Sequence, residues 1–129
     1  MLPVTSLYAG LFGLLFTVLS VRAIRLRSRY GLTLGTSHRL VERAVRAQGN
    51  FAEYVPFALL MIALCEINGL PDWALHVLGT ILLAGRLVHA YGISQEPERI
   101  TWRAAGMGLT FAMMGAASAA LLGLALATL

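Results

Sequence analysis

The sequence predicts an all-α integral membrane protein, a single domain folded as a bundle of four transmembrane helices. Three observations predict it. Of the 129 residues, 58% are hydrophobic and 12% charged, whereas an ordinary soluble domain carries about 25% charge. Uncharged runs such as Pro3–Val21 and Ala104–Leu129 approach or exceed the roughly 20 residues that span a bilayer. Polar connectors divide the apolar sequence into four segments, which places helices at about residues 3–27, 40–68, 72–92 and 100–127.

The first segment has Pro3 near its start, where the missing N–H of proline is harmless. It ends in Arg22, Arg25, Arg27 and Arg29. A secretory signal would place its basic residues before a shorter apolar core, so this segment is expected to stay as a permanent first span whose arginines reach toward water. Gly31, Thr33, Gly35, Thr36 and Ser37 form a polar connector, with Thr36 or Ser37 expected to cap the second helix ahead of Glu42. That helix contains Pro56, which removes one backbone donor and is expected to kink it. Asn68-Gly-Leu-Pro-Asp72 reads as a short turn. The third helix opens beside Trp73, a residue suited to the membrane interface. Ser94 to Arg99 is a polar loop before the last helix. There, Gly108, Ala112, Ala116 and Ala120 stand four apart, a small-residue stripe that lets helices approach closely in lipid.

Charge placement predicts topology. The first connector and its flanks hold seven arginines, from Arg22 to Arg46; the second holds no basic residue; the third holds Arg99 and Arg103. Positive-inside logic then puts the first and third connectors in the cytoplasm and both termini outside it. The net charge of +4 is concentrated at one membrane face, which suits anionic lipid and argues against nucleic acid. Cys65, the single cysteine, lies in an apolar setting where a thiol behaves as a small hydrophobe. No nucleotide-binding loop, metal-ligand cluster or Ser-His-Asp pattern is present; His38 is expected to be solvated and His76 to be bonded locally.

The informative stretch is Arg43-Ala-Val-Arg-Ala-Gln-Gly-Asn-Phe-Ala-Glu-Tyr-Val-Pro56. At about 100° per residue, Arg43, Arg46, Asn50, Glu53 and Tyr54 share an arc of about 100°. Glu53 stands about 10 Å beyond Arg46 along the helix, inside or beside the hydrophobic layer, where an ionised group needs a partner. One account is an Arg–Glu pair locking helices together. The other is a site for a small zwitterion with both carboxylate and ammonium groups. Gln48 falls about 140–160° from Asn50 and Glu53 and faces a different neighbour. Arg86 and His89, three apart on the third helix, share a face.

The pattern R-A-x-x-N-x-x-E-x-x-P in Arg46–Pro56, with the length and hydropathy of the chain, resembles the MAPEG family of membrane-associated proteins in eicosanoid and glutathione metabolism. The likeness is to a microsomal glutathione transferase-like member of bacterial type. It implies a homotrimer in the bacterial inner membrane, with glutathione as co-substrate held between subunits on the cytoplasmic side. By resemblance, Arg46, Asn50, Glu53 and Tyr54 match the glutathione contacts, and Gln48 matches a contact from the adjacent subunit. Arg86 and His89 match a third-helix polar pair that either touches the ligand or braces the second helix, Glu53 being the expected partner of Arg86. Arg103 matches a fourth-helix arginine. Arg43 lies on the ligand-side arc or faces lipid. Of Arg22, Arg25 and Arg29, which share a face, counting back from Arg46 favours Arg25 as the guanidinium that stabilises the glutathione thiolate. A tyrosine of the family pattern falls at Ile93 here, with Tyr91 two residues away on another face.

The resemblance thus implies a transferase or peroxidase acting on lipophilic electrophiles that enter from the bilayer. Two alternatives are a non-catalytic protein on the same scaffold that binds lipid or a small anionic ligand, and a lipid-organising trimer that uses the basic connector.

Overall fold

A computed structural model describes all 129 residues. The chain forms four helices and no strand: α1 (Pro3–Arg29), α2 (Arg39–Ile67), α3 (Asp72–Ser94) and α4 (Ile100–Thr128). Each is long and apolar enough to cross a membrane. At 1.5 Å per residue all are longer than a hydrocarbon layer of about 30 Å, so their polar ends extend past it. α2 continues through Pro56 as one helix.

α1 packs on α2 and α3, α2 on α3 and α4, and α3 on α4, while α1 and α4 do not touch. Phe12 and Phe16 of α1 lie against Phe51 of α2, with ring centroids 6.0 and 5.6 Å apart. Val55, Ala58, Ile62, Leu75, Leu82, Met113 and Ala117 continue the core, and Cys65 lies in it, fully buried. Leu14, Val18, Ile24, Phe57, Leu60 and Leu122 point outward. In water such a surface would be a liability; in lipid it is the expected one.

α3 and α4 approach so closely that their backbones touch. A Cβ on Gly106 would lie 2.5 Å from the His89 amide nitrogen and 2.6 Å from the Gly85 carbonyl oxygen. The face of α4 that meets the bundle is therefore Gly106, Thr110, Met113 and Ala117, all buried. The stripe expected from spacing is not used for this contact: Gly108, Ala112 and Ala116 face outward. The apolar segments also run close to their polar caps. The amides of Val4 and Thr5 at the start of α1 donate to the Glu66 carboxylate, at 2.9 and 2.8 Å, and the Thr5 hydroxyl donates at 2.6 Å. A carboxylate from α2 thus satisfies the free donors of α1 and complements its dipole.

The cap of α2 corrects the sequence expectation. His38, not Thr36 or Ser37, precedes the helix, and its Nδ1 accepts from the Leu40 amide at 3.2 Å. Its ring stacks on Tyr30, centroids 3.6 Å apart, so it is not simply solvated. His76, at the opposite end, meets the buried Tyr8, whose hydroxyl donates to the His76 carbonyl at 3.0 Å.

Candidate functional site

The C-terminal ends of α1 and α3 and the N-terminal ends of α2 and α4 meet at one end of the bundle. Two adjoining depressions open there. One, of about 440 Å³, is lined by Arg39, Glu42, Arg43, Arg46, Ile93, Glu98 and Arg103. The other, of about 300 Å³, is lined by Arg46, Asn50, Glu53, His89, Ile93 and Arg103, with Thr36, Val45 and Gly49 at its margin. Of the arc read from α2, Arg46, Asn50 and Glu53 line one cavity, Arg43 lines the adjoining one, and Tyr54 lines neither.

Their charges differ in one respect that matters. Arg103 pairs with Glu98 at 2.6 Å, and Arg39 with Glu96 at 2.9 Å. Arg43 lies 3.7 Å from Glu96 and 3.9 Å from Glu98, and it also donates to the Ile93 carbonyl at 3.4 Å. Arg43 thus turns to the α3–α4 loop, which decides against the lipid-facing alternative. Arg46 and Glu53 have no ion pair or hydrogen bond within the chain, and both are exposed in the cavity. Glu96 and Glu98 were not singled out by sequence. The signal available was their sign: two acids in the third connector, on the same predicted membrane face as the arginine-rich first connector.

Arg86 sits behind the cavity and His89 on its wall, both buried. Arg86 does not pair with Glu53. Its Nη1 donates to Asn50 Oδ1 at 2.5 Å and its Nη2 to Thr110 Oγ1 at 2.7 Å, while Tyr54 offers it a ring face at 5.7 Å. The reason is relative rotation: α4 approaches α3 at Gly106 and brings Thr110 alongside Arg86, whereas Glu53 is turned outward. Thr110 was not foreseen, since a lone threonine in an apolar helix carries no signal by itself. Tyr54 also packs edge-on to Phe111 and does not line the cavity. His89 lines it, and His89 Nε2 is buried with no hydrogen-bond partner. Arg86 Nε, outside the cavity, is likewise buried without a partner, and each such atom carries a desolvation cost.

Gln48 donates to Ser20 Oγ of α1 at 3.2 Å, away from Asn50 and Glu53. Arg25 lies in a separate groove on α1 with Thr17, Val18, Val21, Arg22, Leu26 and Leu40. One chain alone therefore does not bring Arg25 or Gln48 to the cavity that holds Arg46. Arg22 is the first-helix arginine turned toward α3, where it donates to Ser94 Oγ. Ile93 is buried and lines both depressions, so the position of the absent tyrosine does face the site but offers no hydroxyl. Tyr91 is exposed and packs on Trp102 instead.

Residues 5–127 match the MAPEG family. The chain belongs to that family. Relatives include the inner membrane protein YecN of Escherichia coli K12, 38% identical over 109 residues that cover 84% of this chain and 82% of YecN. YecN from a second Escherichia coli strain, O6:H1, matches equally. A protein of Synechocystis sp., described as uncharacterized, is 32% identical over 96 residues, 73% of this chain and 69% of its own. No solved structure matches the chain. The MAPEG assignment and the four apolar helices agree on an integral membrane protein.

Proposed function

We propose that this MAPEG protein binds glutathione in the cavity lined by Arg46, Asn50, Glu53 and His89 and uses it as co-substrate in a transferase or peroxidase reaction on lipophilic electrophiles. The observation that carries the proposal is the pair of unmatched charges of opposite sign, Arg46 and Glu53, in one cavity. Glutathione has two carboxylates and one ammonium group. Arg46 is a bidentate donor for a carboxylate, and Glu53 is an acceptor for the ammonium.

The assembly proposed is a homotrimer in a bacterial inner membrane, in keeping with the name of the YecN relative. The arginine-rich connector faces the cytoplasm and both termini lie outside it. A neighbouring subunit would bring Arg25 and Gln48 of its α1–α2 face to the open side of the cavity, which accounts for their lying elsewhere in one chain. Bound glutathione supplies a thiol whose ionised form is the nucleophile. The role of Arg25 is to hold that thiolate by its charge; the apolar groove around it is where a lipid-soluble electrophile would approach.

One observation favours the non-catalytic alternative, a scaffold protein binding lipid or a small anion: Glu96 and Glu98 neutralise Arg39, Arg43 and Arg103 within the chain. Ultraviolet difference absorbance decides between them. Titrating purified protein with glutathione near neutral pH is expected to give a saturable thiolate signal. Arg25→Ala is expected to lose most of that signal while still binding glutathione. Saturable binding to the parent with no thiolate signal would support the non-catalytic alternative.

A further inference from the structure

We infer that Arg86 and Thr110 are positioning residues that set the polarity of the pocket: they hold Asn50 so that it presents an N–H donor, and the ligand atom seated there is a carboxylate or carbonyl oxygen rather than an amine. The inference rests on the glutathione proposal and adds the direction in which the ligand lies.

The chain of donors runs one way. The Thr110 hydroxyl donates to the Gly106 carbonyl at 3.0 Å. Its proton is thereby committed, and its lone pair accepts from Arg86 Nη2 at 2.7 Å. Arg86 has only donors, so the atom of Asn50 that meets Nη1 at 2.5 Å must be the amide oxygen. This follows from chemistry whatever the rotamer of the amide. The Asn50 amide nitrogen has no partner within the chain, and Asn50 lines the cavity. What remains for a ligand at this position is therefore two N–H donors. Arg46 stands one turn before Asn50 and is also purely a donor. Glu53 stands about 4.5 Å beyond Asn50 along the helix axis and is an acceptor. The ligand lies with an acid end toward Arg46 and Asn50 and its amine toward Glu53.

Neither Arg86 nor Thr110 lines the cavity, so both act through Asn50. Asn50→Asp tests this directly. The aspartate keeps the bond to Arg86, and so keeps the packing, but offers the ligand an acceptor in place of a donor. Glutathione binding is measured by calorimetry in detergent beside thermal melting. The expected result is a melting temperature at or above that of the parent with affinity lower by about tenfold or more, the scale of a lost charge-assisted hydrogen bond. Thr110→Val is expected to weaken binding and Thr110→Ser to restore it. If Asn50→Asp binds glutathione as tightly as the parent, Asn50 offers its oxygen to the ligand and the inference is overturned with the glutathione proposal intact. If the parent binds no glutathione, the proposal itself fails and the inference with it.

Discussion

Gly106→Ala is expected to lower the unfolding free energy by about 3 kcal/mol, the upper range for overpacking a tight contact. The added methyl would sit 2.5 Å from the His89 amide nitrogen, 2.6 Å from the Gly85 carbonyl oxygen and 2.7 Å from the His89 Cα. All three are backbone atoms, so no rotamer change relieves the overlap and α3 and α4 must separate. Separation would stretch the 2.7 Å bond between Arg86 and Thr110 and loosen the back wall of the cavity. Denaturation followed by helical circular dichroism checks this. Gly123→Ala is the control. Nothing lies within 4 Å of its added Cβ, and alanine is the better helix former by about 1 kcal/mol, so it is expected to melt at or slightly above the parent.

Arg86→Ala is expected to cost about 3–4 kcal/mol, whereas Arg86→Met is expected to melt close to the parent. Arg86 is only 1% exposed, so truncation opens a cavity with a cost typical of large-to-small core changes. Its hydrogen-bond partners are all uncharged: Asn50, Thr110, the Met107 sulfur at 3.2 Å and the Gly106 carbonyl at 3.5 Å. A cation held without an opposite charge adds little net stability. Replacing a buried ion by an apolar side chain of similar volume is often neutral or stabilising. Arg86→Met is nonetheless expected to bind glutathione more weakly, because Asn50 is then free to turn. A loss of binding without a loss of stability marks the role of Arg86 as positioning. Equal loss of both in the two variants would mark it as structural glue.

The four helices were legible because the bilayer imposes a length that any apolar run of sufficient extent reveals. The polar face of α2 was legible for a similar reason: one angle per residue fixes which side chains share an arc. What could not be read is how one helix is turned against another. Glu53 and Arg86 looked like natural partners on two separate helical wheels, but the rotation of α3 delivers Arg86 to Asn50 and Thr110. In α4, small residues occur on nearly every face, so spacing alone did not distinguish the outward Gly108–Ala112–Ala116 row from the buried one that starts at Gly106. Gly106 is set apart only by Gly85 on the facing helix. The pairing of Arg43 with Glu96 and Glu98 was hidden for another reason: it joins segments far apart in sequence, and loop charges carry no periodicity.

The most direct test of the account is equilibrium binding of glutathione to the purified protein beside Arg46→Ala and Glu53→Gln. Saturable binding is predicted for the parent, with each variant weakened on the order of 10- to 100-fold, as expected for losing one partner of a charge-assisted contact. Equal binding by all three proteins, or none by the parent, would contradict it.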